Sequence, residues 1–293
     1  MQTLSPEEIH RAVTAALTED VGDGDVTTLA TVPSDATATA WMRSREPLIV
    51  AGLDLAESAF RQLSPALRLE RLTADGQQMQ AGQTLLRVSG PARAILTAER
   101  VALNFVQRLS GIATLTARFV EAVRPTNTRI LDTRKTTPGW RRLEKYAVTC
   151  GGALNHRFGL FDMVLIKDNH LAALRHASPN AVAAAIRLAR EKFPQLKIEV
   201  ETDTLTQVGQ ALDAGADLIL LDNMSLQDLR AAVHMCLGRA QTEASGGVNL
   251  TTVGSIAETG VDYISVGALT HSAPAVDLGL DFENEPLLKE DQP

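Results

Sequence analysis

Between residues 129 and 266 the chain alternates short apolar runs with longer amphipathic stretches, and this alternation restricts the fold more than any other feature. The runs at 129–132, 163–167, 197–201, 218–222, 242–244 and 263–266 read as strands, and the stretches at 140–149, 180–192, 204–214, 225–237 and 250–258 read as helices. Strict strand–helix alternation implies parallel strands joined by right-handed crossovers. Six strands are clear and a seventh is expected at 152–156, one short of the eight that close a standard barrel.

The strands finish on polar or small residues: Lys167, Glu201, Asp222, Ser245 and Gly267 all fall at C-terminal strand ends, where α/β folds place their sites. Strand parity puts Glu199 and Glu201 on one face, and Leu220 and Asp222 likewise share a face. Carboxylates that face a barrel interior are costly unless they bind something. Pairing with Lys167 inside the barrel is the structural alternative. On the last two strands, Ser245-Gly246-Gly247 precedes a helix and Val266-Gly267-Ala268 ends the final run. Glycines there let backbone amides approach a phosphate, and a helix N-terminus adds favourable partial charge.

Residues 130–171 gather Arg134, Lys135, Arg141, Arg142, Lys145, His156, Arg157 and Lys167 in a chain of net charge −7. Arg141, Arg142 and Lys145 are expected on the solvated face of the helix opened by Pro138-Gly139. Arg134, Lys135, Arg157 and Lys167 stand at strand ends or in loops and should converge on one mouth, which implies a small polyanionic ligand. An acidic isoelectric point near 5.4 argues against nucleic acid as the partner. Cys150 and Cys236 have no paired spacing, so neither a disulfide framework nor a zinc site is expected. With no membrane-spanning run and no leader-like start, the expectation is a cytoplasmic protein.

Upstream, Ser5-Pro6-Glu7-Glu8 reads as a capped helix start. Strands near 38–42, 47–50, 67–72 and 84–88, with a helix at 53–63, make an α+β domain. A helical region at 94–123, interrupted at Ser110-Gly111, leads into the alternating part. The domain reading is 1–112 for the α+β sandwich, joined by the tail 273–293, and 113–272 for the β/α barrel. Residues 284–293 read as a frayed terminus.

LTEDVGDGDVTT (17–28), LTAERVALNFVQRLSGIAT (96–114), DTRKTTPG, KYAVTCGGALNHR, LIKDNH, EVET, ILLDNM, SGG and ETGVDYISVGALTHS occur in this order along the chain. Together they resemble the quinolinate phosphoribosyltransferase family, the decarboxylating nicotinate-nucleotide pyrophosphorylases. The resemblance implies an α/β fold, with an N-terminal α+β sandwich domain and an incomplete, seven-stranded parallel β/α barrel. It implies that quinolinate and phosphoribosyl pyrophosphate give nicotinate mononucleotide, pyrophosphate and carbon dioxide in NAD biosynthesis, with magnesium (Mg2+). By the same resemblance, Arg134, His156, Arg157 and Lys167 hold the quinolinate carboxylates with Thr133 beside them, helped by Arg100 of a neighbouring subunit. Lys135 lies between quinolinate and pyrophosphate, and Glu201 and Asp222 serve the ribose hydroxyls and magnesium. Ser245, Gly246 and Gly247 with Val266, Gly267 and Ala268 cradle the 5′-phosphate, and catalysis rests on Lys135, Lys167, Glu201 and Asp222. The implied assembly is a homodimer with shared sites, or a higher oligomer.

Trp140 is bulkier than the aliphatic residue expected at its position, a matter of local packing. The implied chemistry agrees with the residues. Attack of a pyridine nitrogen on the sugar C1 passes through an oxocarbenium-like state that carboxylates stabilise, while arginines grip acid groups bidentately. Three other readings remain: a Schiff-base aldolase using Lys135 or Lys167, a related phosphoribosyltransferase for another aromatic acid, and an anion- or nucleic-acid-binding module.

Overall fold

The computed structural model describes residues 3–283, so the tail 284–293, expected to fray, lies outside the described residues. Two compact units emerge: one of residues up to Thr114 with Thr149–Gly151 and the segment from Pro274, the other of Leu115–Val148 and Gly152–Ala273.

The first unit opens with α1 (Pro6–Val21), where Ser5 Oγ accepts the Glu8 N–H and the Glu8 carboxylate accepts the Ser5 N–H, the reciprocal cap expected from the sequence. Then follow α2 (Val26–Thr31), β1 (Thr37–Ser44), β2 (Leu48–Ile49), α3 (Leu53–Leu63), β3 (Arg68–Arg71), β4 (Gln78–Met79), β5 (Thr84–Pro91) and α4 (Ala92–Val123). Contrary to expectation, α4 is unbroken at Ser110-Gly111. Leu109, Ile112 and Ala113 on either side are fully buried, so packing holds the helix through its glycine. The pair serves close approach instead. Ser110 Oγ accepts the Ala51 N–H at 2.9 Å and donates to the Ala51 carbonyl at 3.3 Å, and a Cβ at Gly111 would collide with the Pro274 carbonyl.

The second unit carries β6 (Arg129–Leu131), α5 (Arg141–Cys150) save its last two residues, β7 (Val164–Ile166), α6 (Asp168–Ala173), α7 (Ala181–Lys192), β8 (Ile198–Thr202), α8 (Leu205–Asp213), β9 (Leu218–Asp222), α9 (Leu226–Cys236), β10 (Gln241–Ser245), α10 (Val253–Ala257), β11 (Tyr263–Ser265) and α11 (Ala268–His271). All six strands are parallel, in the order β6-β11-β10-β9-β8-β7. The seventh strand expected at 152–156 is reduced to one parallel bridge from Leu154 to Leu131. The ladder stops there because the backbone N–H of His156 goes to a side chain instead, Asp132 Oδ1, whose other oxygen accepts from the Asn155 side-chain amide. The parallel sheet accordingly has six strands rather than the seven expected of the incomplete barrel, with Leu154 alone marking the seventh position. Helix α10 is also shorter than the 250–258 read from the sequence.

The chain then returns to the first unit as β12 (Leu278–Phe282), which pairs with the free edge of β1 and gives an antiparallel sheet β12-β1-β5-β3.

Gly111→Ala should therefore cost at least about 2 kcal/mol, the range for overpacking against backbone that cannot move aside. Chemical denaturation checks this. A midpoint equal to that of the unsubstituted protein would mean that the Pro274 segment shifts freely.

Candidate active site

The C-terminal ends of the parallel strands open into a cavity of about 430 Å³. One wall is cationic. Thr133, Arg134 and Lys135 follow β6, His156 and Arg157 come from the irregular segment before β7, and Lys167 stands just past β7. Thr133 Oγ1 accepts the Lys135 N–H at 3.0 Å, and Thr270 Oγ1 donates to the Lys135 carbonyl at 2.7 Å, so two hydroxyls set this loop. Arg157 Nη1 donates to the Met163 carbonyl at 3.1 Å.

A second stretch of the lining is acidic: Glu201 on β8, Asp222 on β9, and Glu243 and Ser245 on β10, with Ser265 from β11. Lys167 Nζ pairs with Glu201 Oε2, the ion pair raised as the structural alternative, but the lysine side chain is 45% exposed and the pair faces the cavity. An exposed pair of this kind adds little stability. Asp222 Oδ2 accepts from Asn223 Nδ2 at 2.9 Å. Asn223 takes a left-handed backbone, φ 54°, and donates its N–H to the Ser245 carbonyl at 2.9 Å. Gly246 has φ 93° and any Cβ there would strike the Asn223 side chain, so glycine is required.

Gly247 follows with φ 62°, while Gly267 leaves room for the Lys135 side chain, whose Cδ would lie 3.1 Å from an added Cβ. Val266 is buried and Ala268 begins α11. The helices after both glycine motifs are only one turn or so long, five residues in α10 and four in α11. The expected helix-end charge is therefore small. Arg100 lies exposed on α4, in the first unit.

The solvated-face expectation for Lys145 is overturned: its side chain is 1% exposed and pairs with Asp132, itself 0% exposed. Helix α5 presents this position inward, between Glu144 and Tyr146, which are also buried. Burial pulls the Lys145 pKa down and pushes that of Asp132 up, and their mutual attraction opposes both shifts.

Deeper in the cavity His156 meets two acids not read from the sequence as site residues. Its Nε2 is 2.9 Å from Glu199 Oε2 and 3.4 Å from Glu243 Oε2. Nδ1 accepts the Arg157 N–H at 2.8 Å, so the ring proton belongs on Nε2, which donates to Glu199. Burial lowers the His156 pKa, in keeping with a neutral ring. The same burial pushes Glu199 to about 7 and Glu243 to about 8. The three side chains come close enough to hold a metal ion, but a ring whose Nδ1 accepts and whose Nε2 carries the proton offers no ligand lone pair. The signal for Glu243 was parity, since it shares a face with Ser245 two residues on.

The chain matches the family models described as the quinolinate phosphoribosyl transferase N-terminal domain over residues 25–110 and C-terminal domain over 112–281. It is 46% identical over 295 residues to a chloroplastic nicotinate-nucleotide pyrophosphorylase [carboxylating] of Oryza sativa, covering 95% of this chain and 78% of the relative. Identity is also 46% over 273 residues with the corresponding protein of Mycobacterium leprae, covering 91% and 94%. The nicotinate-nucleotide pyrophosphorylase structures from Francisella tularensis (TM-score 0.90, 39% identity, 96% and 98% coverage) and Ehrlichia chaffeensis (0.89, 40%, 96% and 100%) share the fold.

An acid whose folded-state pKa lies above its unfolded value holds its proton more tightly in the native protein. Stability is then fully present below the unfolded value of 4.5 and declines as pH rises towards about 8, the position of Glu243. Glu243→Gln should flatten that decline: between about pH 5 and pH 8.5 its melting temperature should fall less than that of the unsubstituted protein. Parallel curves would show that the Glu243 carboxyl ionises without cost.

Proposed function

The chain belongs to the quinolinate phosphoribosyltransferase family, and we propose that the cavity at its parallel strand ends divides the work of that reaction between its two walls. The reaction is phosphoribosyl transfer from phosphoribosyl pyrophosphate to quinolinate with decarboxylation, giving nicotinate mononucleotide, pyrophosphate and carbon dioxide in NAD biosynthesis. A single observation carries the division: the cations Arg134, Lys135, Arg157 and Lys167 and the acids Glu201 and Asp222 line one cavity from different strands.

On this reading Arg134, His156, Arg157 and Lys167, with Thr133 beside them, hold the two quinolinate carboxylates. A guanidinium fork matches a carboxylate in two places, which an ammonium cannot do. Lys135, flanked by Thr133 and Gly267, faces the departing pyrophosphate. As the ring nitrogen attacks C1 of the sugar, positive charge builds on the ribose, and Glu201 and Asp222 stabilise it. Ser245, Gly246 and Gly247, with Val266, Gly267 and Ala268, form the 5′-phosphate cradle, supported by the left-handed glycines of the first motif. After transfer the ring nitrogen is cationic and takes up the electron pair left by the adjacent carboxylate, so the ring is its own electron sink.

Magnesium suits the acidic wall. Glu201 and Asp222 lie at the ends of paired strands, and each has a second carboxylate oxygen beyond the one bonded to Lys167 or Asn223. Hard oxygen donors of this kind, together with substrate phosphates, are what the ion takes. When bound it would neutralise charge on the pyrophosphate. Cytoplasmic placement fits two buried cysteines with no disulfide between them.

Carboxyl-labelled quinolinate tests the reading: label should appear as carbon dioxide only when phosphoribosyl pyrophosphate is present. In the same assay Asp222→Asn should lower turnover by about tenfold or more and shift the magnesium requirement upward, since an amide is a poorer ligand for a hard cation. Normal turnover with an unchanged magnesium titration would leave Asp222 outside the site.

The further proposal that Arg100 serves a neighbouring subunit's cavity predicts complementation. Arg100→Ala and Lys135→Ala should each be nearly inactive, yet after subunit exchange about a quarter of sites should be intact, because each mixed dimer holds one doubly damaged and one undamaged site. If mass-tagged subunits exchange and activity stays at the single-variant level, Arg100 acts within its own chain.

A further inference from the structure

Lys145 and Asp132 form an ion pair that lies outside the cavity lining and is almost completely buried, with side chains 1% and 0% exposed. A pair at that depth gains little over apolar residues of the same volume, because desolvation consumes the attraction. Its other bonds point elsewhere. Asp132 Oδ1 accepts the His156 N–H at 2.8 Å, while Lys145 Nζ donates to the His156 carbonyl at 3.0 Å. Asn155 Nδ2 donates to Asp132 Oδ2 at 2.7 Å and to the Lys145 carbonyl at 3.0 Å. Both backbone polar groups of His156 are thus held, one by each member of the pair.

The segment needs such anchors, because its strand pairing ends at the single Leu154 bridge. From His156 the restraint passes along the cavity wall: ring Nδ1 accepts the Arg157 N–H, and ring Nε2 reaches Glu199. A loosened His156 backbone would release both its imidazole and the start of Arg157.

We propose that Lys145 and Asp132 are positioning residues, whose ion pair replaces a missing strand and fixes His156 and Arg157 at the spacing the substrate's acid groups require. The proposal rests on quinolinate as substrate. It assigns the pair no contact with substrate. Its loss should therefore act on quinolinate far more than on phosphoribosyl pyrophosphate.

The test separates stability from placement. Lys145→Met and Asp132→Leu should each lower the melting temperature, since each strands one partner without its counter-charge. The double variant, with two apolar side chains, should regain most of that loss. Its KM for quinolinate should nonetheless stay raised by about tenfold or more, the scale of misplacing a binding group, with the KM for phosphoribosyl pyrophosphate near normal. A double variant that regains both its melting temperature and a normal quinolinate KM would overturn the proposal. Should the double variant fail to fold, Asn155→Ala decides: a rise confined to the quinolinate KM supports positioning, and no rise, or an equal rise in both constants, overturns it. If the unsubstituted enzyme releases no carbon dioxide from quinolinate, the substrate reading fails instead, and the two failures are told apart in one assay.

Discussion

The parallel register of β8, β9 and β10 is the constraint on which the cavity depends. Leu220 pairs with Glu201 on one side and with Glu243 on the other, and Asp222 pairs with Ser245. Two carboxylates are therefore laid across the sheet in one row, with Asp222 and Ser245 in the row towards the strand ends. A slip of one residue would turn every one of them into the helical layer. Depth then differentiates them. Glu243 and Glu199 are fully buried and burial raises their pKa values, whereas Glu201 meets Lys167 at the cavity surface. One set of residue types thereby supplies acids whose burial favours the protonated form at the floor and an ion-paired carboxylate nearer the mouth.

The cationic wall solves a different problem. A dianionic acid and a pyrophosphate must enter a protein of net charge −7, so cations have to be gathered locally. They are drawn from three separate elements, the loop after β6, the segment before β7 and the end of β7. Each is held in place by a neighbouring group. Thr133 and Thr270 fix the loop at Lys135, Met163 holds Arg157, and Glu201 holds Lys167. Preorganised donors avoid the reorganisation that water would demand at the moment of reaction.

Much of this was legible in the sequence because period and position carry it. The six strands, their parallel direction and the inward face of Glu201 and Asp222 follow from alternation and parity. Three features were not legible, each for a physical reason. Ser110-Gly111 resembles a helix break, and only the Pro274 backbone pressing on it explains the glycine in an intact helix. Lys145 sits beside Arg141 and Arg142 in a run that looks solvated, and nothing local marks which member finds a buried acid. The His156, Glu199 and Glu243 cluster joins three elements far apart in sequence, and its proton placement depends on a backbone N–H.

The missing strand connects these observations. In a regular strand consecutive side chains point to opposite faces, so only one of His156 and Arg157 could have faced the cavity. Both line it. The chain leaves strand geometry immediately after Leu154, the last paired residue, and from there successive side chains are freed from alternation. The backbone groups that lose a ladder must still be satisfied. Asp132 and Lys145 take the N–H and carbonyl of His156 from inside the protein, where water is excluded. A buried ion pair that contributes little to stability on its own therefore has a reason to persist: it holds open the irregular backbone that brings two adjacent residues, His156 and Arg157, onto the cavity wall.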